Sequence, residues 1–319
     1  MKKKDSHQRK QTVSLRKMAR YLGVGFVMGA SDIVPGVSGG TMAFIFGVYE
    51  QLIQSIKVVS GTALKLLLKG KVTEALAVIP FGFLVPLGTG LLLAVGLLSS
   101  LLTYLLVAYP VYIWSFFFGL VIASIQVVSK RVSVWTSKEV LAASLSAVAA
   151  FMIVGAVPTE TAATPLAFLL SGAIAICAMI LPGISGSFLL IILGKYQQVL
   201  TAVHDKDILT LGIFMIGAVL GLAFFSRLLS WLFEHHENMT IAILTGFMVG
   251  SLRKIWPWKE TVTSILDSHG ELVPVVQRNV LPQAFDESVL MALGLFLLAV
   301  AVVLFIERNG ADKNHEEWQ

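Results

Sequence analysis

Two short stretches carry the residue types best suited to chemistry, Asp32-Ile-Val-Pro-Gly-Val-Ser-Gly-Gly-Thr41 and Met179-Ile-Leu-Pro-Gly-Ile-Ser-Gly-Ser-Phe188. Each sets a Pro-Gly-x-Ser-Gly turn ahead of an apolar run. A turn of this kind that opens a helix offers unpaired backbone amides, a serine hydroxyl and the positive end of the helix dipole. That combination favours an anion. The candidate substrate-binding residues are therefore Pro35, Gly36, Ser38, Gly39, Gly40 and Thr41 in the first copy and Pro182, Gly183, Ser185, Gly186 and Ser187 in the second. A single such turn reads more readily as a helix break that serves packing. Two copies entering from opposite faces read as a site.

The copies stand 147 residues apart, and the same offset pairs Gly47 with Gly194, Tyr49 with Tyr196 and Gln51 with Gln198. This points to an internal duplication. Later in the chain Gly119-x-x-x-Ala-Ser124 matches Gly246-x-x-x-Gly-Ser251 at an offset of 127. Neither turn is a nucleotide phosphate loop, because no Gly-Lys-Ser/Thr ending and no preceding strand are present. His235 and His236 are adjacent and flanked by Glu234 and Glu237, a solvated cluster without metal-ligand spacing. No nucleophile is paired with a base at membrane depth, so the chain reads as neither an enzyme nor a holder of metal or cofactor.

Ionisable residues inside apolar runs are costly and carry a functional hypothesis by default. Arg227 has two readings, a fork of donors for a phosphate and a side chain snorkelling to the nearby interface. Lys195 adds a second positive charge to the second turn region or snorkels. Asp32 caps amides of the first turn, pairs with Arg227 or carries a coupling proton or sodium ion. Glu50 aligns with the neutral Gln197, which makes it a candidate for coupling. Arg253 and Lys254, at the outer end of their run, attract an anionic head group or ride on the adjoining loop.

These residues must be positioned by membrane helices. Hydrophobic residues make up 56% of the 319, charged residues 13%, and mean hydropathy is +0.82, whereas soluble domains carry roughly 25% charged residues. The net charge of +5 comes from basic residues flanking apolar runs, a topology signal rather than a nucleic-acid footprint. Residues 1–20 read as a retained basic cytoplasmic tail. Cys177, the single cysteine, reads as packing.

The fold expected is an all-α polytopic membrane protein, an inverted repeat of two re-entrant broken-helix hairpins plus about six full spans. Repeat one covers 21–130, with a hairpin over 21–56 and spans 76–98 and 111–128 joined by an uncharged outer loop, Ser99 to Pro110. The run 139–157 crosses once more and so inverts the second repeat. Repeat two covers 165–254, with a hairpin over 165–203 and spans 208–233 and 239–252. Residues 255–287 form an external loop or surface helix anchored by Trp256, Pro257 and Trp258. A last span, 288–306, returns a tail, 307–319, to the cytoplasm. Gly217-x-x-x-Gly221 reads as helix packing.

The two motifs, with Ser226-Arg227-Leu-Leu and Leu252-Arg253-Lys254-Ile-Trp-Pro-Trp258, resemble a bacterial family long classed as a domain of unknown function and linked to polyprenyl-phosphate translocation under the name PopT. The resemblance runs from about residue 20 to 306. It implies a carrier that returns undecaprenyl phosphate from the outer to the inner leaflet of the cytoplasmic membrane for lipid-carrier recycling in cell-wall synthesis. It also implies a head-group role for Pro35, Gly36, Ser38, Gly39, Pro182, Gly183, Ser185, Gly186 and Arg227. Ser187 and Phe188 stand where the first copy has Gly40 and Thr41, so the two turns are not equivalent. The expectation is a flippase without covalent catalysis, with membrane lipid and a proton or sodium ion as the other partners and both termini cytoplasmic. The rival is an ion-coupled carrier of a small soluble anion.

Overall fold

The computed structural model describes residues 14–34, 37–159, 161–266 and 272–314. Helix α1, Leu15–Ile33, starts where the Ser14 hydroxyl accepts from Lys17 N at 3.3 Å, so the end of the expected tail is already helical. It stops at Val34, whose extended backbone is what a following proline favours. Helix α2, Gly39–Ile45, restarts the chain, and at Gly47 (φ 68°) it bends by 118° into α3, Tyr49–Lys57. The stretch 57–75, between the expected hairpin and the first expected span, is largely helical. A π-helical segment, Val58–Ala63, leads to α4, Leu64–Leu68, and α5, Val72–Val78.

Helix α6, Phe81–Ala108, and α7, Pro110–Ser129, are separated by Tyr109 alone. The outer loop expected over Ser99 to Pro110 is thus mostly helix, because Ser-Ser-Leu-Leu-Thr-Tyr-Leu-Leu-Val-Ala contains no breaker before Pro110, a residue that itself suits a helix start. Helix α8, Ser137–Val154, opens on a capping box between Thr136 and Glu139. Helix α9, Pro165–Ile180, precedes the second break, after which come α10, Gly186–Ile192, a bend of 103° at Gly194 (φ 64°), and α11, Tyr196–His204.

Helix α12 runs from Ile208 to Ile255 with one non-helical residue, His236, so the spans expected over 208–233 and 239–252 belong to a single kinked helix. The stretch 255–287, expected as loop or surface helix, contains an antiparallel hairpin of β1, Lys259–Leu266, and β2, Leu272–Asn279. Helix α13, Glu287–Asn314, ends the described chain.

Among the described residues five helices, α6, α7, α8, α12 and α13, are long and apolar enough to cross a membrane, against the expected six or so spans. Helix α12 accounts for the difference. Its 48 residues reach about 72 Å at 1.5 Å each, roughly twice an apolar bilayer core.

The offsets found in sequence recur as element boundaries. An offset of 147 carries the end of α1 onto the end of α9, and α2 and α3 onto α10 and α11, residue for residue. An offset of 127 carries the start of α6 onto the start of α12. It also carries Tyr109 (φ −136°, ψ 51°) onto His236 (φ −141°, ψ 48°).

Packing repeats as well. Gly25 lies against the Leu87 carbonyl and Gly90 against that of Leu22, while Gly172 lies against the Phe214 carbonyl and Gly217 against that of Leu169. Missing side chains let α1 approach α6, and α9 approach α12, backbone to backbone. The last helix of each half then packs on the other half: Gly119 of α7 meets Phe296 of α13, and Gly246 of α12 meets Ala143 of α8. Leucines such as Leu92, Leu97 and Leu145 stay exposed on the outside, as an apolar solvent permits. The core gathers around Val34, Val37, Met42, Phe44 and Tyr49, beside the first break.

Candidate functional site

The two breaks meet. Thr41 Oγ1 accepts from Gly183 N at 3.1 Å, and Ser38 Oγ lies 3.3 Å from the Leu181 carbonyl and 3.5 Å from that of Met179. Tyr49 donates its hydroxyl to the Ile180 carbonyl at 3.3 Å. Four groups of the first half thereby satisfy or crowd the backbone of the second, since a Cβ on Gly40 would stand 2.7 Å from Ile180 O. Gly183 takes φ 88°, a region that side chains disfavour, with Ser251 Oγ 2.7 Å from where its Cβ would be. Pro35 and Gly36 lie outside the described residues.

The turns are not equivalent, and the reason is Asp32. Its Oδ1 accepts from Gly39 N at 2.6 Å, and Ser38 Oγ accepts from Gly40 N at 3.1 Å. The first turn therefore already holds a carboxylate on its amides. At the matching place the second turn has Met179, which has no oxygen to offer. Its hydroxyls, Ser185 and Ser187, lie 2.8 Å from each other. Among the described residues no partner is bonded to Gly186 N or Ser187 N. Ser187 is exposed and Ser185 half-buried, while Ser38 and Thr41 are buried, as are Pro182 and Gly186. The amides of the first turn are thus already capped, while those of the second are open. Asp32 takes the capping place, and its hydrogen bonds do not include Arg227.

Beside the second turn an apolar cleft opens between α8, α9 and α12. Leu181 and Ile184 of the break form its inner wall, with Cys177, Phe224 and Phe247 among the other lining residues. Residue spacing carries no sign of this opening, because it depends on how far α8 stands from α9.

The charged candidates are dispersed. Arg227 is exposed and donates to the carbonyls of Ala223, at 2.9 Å, and of Ser60 in the π-helical segment, at 3.1 Å. None of its hydrogen bonds reaches either turn. Lys195 is fully buried, and its ammonium donates to the carbonyls of Thr161 and Ala162 and to Gln198 Oε1, at 3.1, 2.7 and 2.7 Å. An ammonium has three donors, so Lys195 is a clamp on the bend and neither snorkels nor faces the turn. Glu50 is exposed at the start of α3. Arg253 lies over the Phe151 ring and Lys254 over that of Phe188.

Sequence reasoning passed over two residues. Tyr49 bridges the halves, and its repeat in the sequence was the available signal. Arg131 donates to the Phe44 carbonyl at 3.0 Å, holding the far end of α2.

The model of the undecaprenyl phosphate translocase-like family matches residues 28–273. A polyprenyl-phosphate transporter of Vibrio cholerae is 43% identical over 290 residues, 89% of this chain and 94% of the relative. One of Staphylococcus aureus is 33% identical over 252 residues, 73% of this chain and 84% of the relative. No solved structure matches.

Proposed function

Because this chain belongs to the undecaprenyl phosphate translocase-like family, we propose that it transports a polyprenyl phosphate across the bacterial cytoplasmic membrane as a flippase. The head group passes through the paired turns while the tail stays in lipid. The observation that carries this reading is the meeting of the two breaks, Thr41 on Gly183 and Ser38 on Leu181, next to an apolar cleft. A phosphate and a long hydrocarbon chain need those two surfaces side by side. Ser185 and Ser187 supply hydroxyls and, with Gly186, backbone donors for the phosphate, and Asp32 keeps the first turn closed to it. Leu181, Ile184 and Phe224 flank the first isoprene units. Arg227, far from both turns in its hydrogen bonding, holds the π-helical segment at Ser60 rather than the head group.

The matching offsets of helix ends, kinks and glycine contacts support an inverted repeat, with three crossings between the turns placing them in opposite orientations. In this arrangement both termini are cytoplasmic and the β1–β2 hairpin lies outside. Net movement runs from the outer to the inner leaflet, returning the carrier for reuse.

Vesicles containing the purified protein test this reading. Leaflet exchange of undecaprenyl phosphate should accelerate, and Ser185→Ala/Ser187→Ala should slow it by about tenfold or more, the cost of a charged group losing its donors. Uptake of a soluble anion without lipid movement would favour the small-anion carrier, and release of inorganic phosphate from the lipid would favour an enzyme.

A further inference from the structure

One group of charges takes no part in the turns. Arg253, Lys254 and Lys259 line a small recess together with Gly155, Phe188 and Asn279. It lies where α8 ends, α10 begins and the β-hairpin leaves α12. Each cation rests on a ring: Arg253 on Phe151 at 4.4 Å, Lys254 on Phe188 at 4.3 Å and Lys259 on Trp114 at 3.4 Å. Rings hold cations in place but accept no conventional hydrogen bond. Arg253 donates to the Phe151 carbonyl at 3.2 Å. Lys254 and Lys259 have no hydrogen-bond acceptor among the described residues, and the Lys259 ammonium is buried.

Two other lysines have carboxylate partners. Lys130 meets Glu307 at 3.1 Å and Lys57 meets Glu234 at 3.0 Å. At the offset of 127 the three recess positions correspond to Gln126, Val127 and Val132, so the cluster belongs to one half alone. No carboxylate pairs with it among the described residues. A buried ammonium without an acceptor is costly, and neighbouring like charges add to the cost. An anion with several acceptor oxygens removes both penalties at once. Phe188, under Lys254, directly follows Ser187, so the wall of the recess continues into the second turn.

We propose that Arg253, Lys254 and Lys259 form a phosphate-binding station on the hairpin side, distinct from the paired turns, which takes a phosphomonoester head group before it moves along α10 to Ser185 and Ser187. This rests on the substrate being a phosphate-bearing lipid. The station explains why basic residues persist on a face where short loops normally lack them, and it assigns Lys259 a role beside its two helical neighbours.

Full-length protein in phosphatidylcholine nanodiscs, titrated calorimetrically with farnesyl phosphate and separately with inorganic phosphate, provides the test. Lys254→Met/Lys259→Met should weaken farnesyl phosphate binding by about tenfold or more, and Lys259→Arg should retain most of it. Gel-filtration profile and thermal midpoint identify folded variants. Loss of binding for both probes would support a site that reads phosphate from either source, and loss for farnesyl phosphate alone would support a lipid head-group site. Undiminished farnesyl phosphate binding by the folded double variant would overturn the station. If the wild type itself gives no exchange, the transport reading fails, and the titrations still decide the station.

Discussion

At the scale of single residues, the decisive difference between the two turns is which of them owns an oxygen. Asp32 occupies the amide of Gly39 and Met179 leaves its counterpart free, so two nearly identical motifs differ in whether their amides are already capped, which is the ground for proposing the second as the receiver. Thr41 is the link between them. Thr41→Val removes the acceptor of Gly183 N in a buried place and should cost about 1–3 kcal/mol, the penalty of an unsatisfied buried donor. Thr41→Ser should restore most of it, as read from unfolding midpoints in detergent. Lys259 gives a pH dependence. Burial, with a smaller contribution from Lys254, pushes its ammonium down to about 6, and the charged groups facing it are Arg253 and Lys254 of α12, while β2 contributes the neutral Gln277 and Asn279. A bound anion favours the protonated form, so affinity for sulfate, whose charge is constant here, should rise as pH falls from 8 to 6. In Lys259→Arg, always charged, that slope should flatten, whereas equal slopes in the two proteins would count against a titrating Lys259.

At the scale of elements, glycine placement determines which helices touch. Gly25 and Gly172 meet the carbonyls of Leu87 and Phe214, whereas Gly88 has open space around it. Gly25→Ala and Gly172→Ala should each destabilise by about 1–3 kcal/mol through overpacking. Gly88→Ala should be neutral or stabilising by up to about 1 kcal/mol, because alanine is the better helix former. Thermal scans of the three variants check the contrast. The breaks and their repetition are legible in sequence because proline and glycine act locally. The fate of Ser99 to Ala108 is not, since an uncharged run without breakers suits a loop outside the bilayer or a helix continuing past it. The strand pair β1 and β2 escaped for a related reason: Thr261, Val262, Thr263 and Val273 favour strands, but a charged stretch between apolar runs first suggests a loop.

At the scale of the whole molecule, the two halves are bound by exchange of their last helices, α8 onto α12 and α13 onto α7, with the turns pressed together between them. The central meeting was legible as an expectation, because two copies of a turn with open amides read as parts of one site. The apolar cleft and the clamp role of Lys195 were not, since both depend on tertiary distances that spacing does not encode. Opposite orientation has its own test: in a Cys177→Ser background, cysteines replacing Gly70 and Lys206 should react with an impermeant thiol reagent from opposite faces of the membrane, and reaction from one face would contradict the inversion. The account as a whole turns on whether the second turn receives the head group from both sides. A cysteine at position 187 in the same background, probed in oriented vesicles, measures this directly. The account predicts labelling from either face and protection by undecaprenyl phosphate, and labelling confined to one face, or unchanged when the lipid is present, would contradict it.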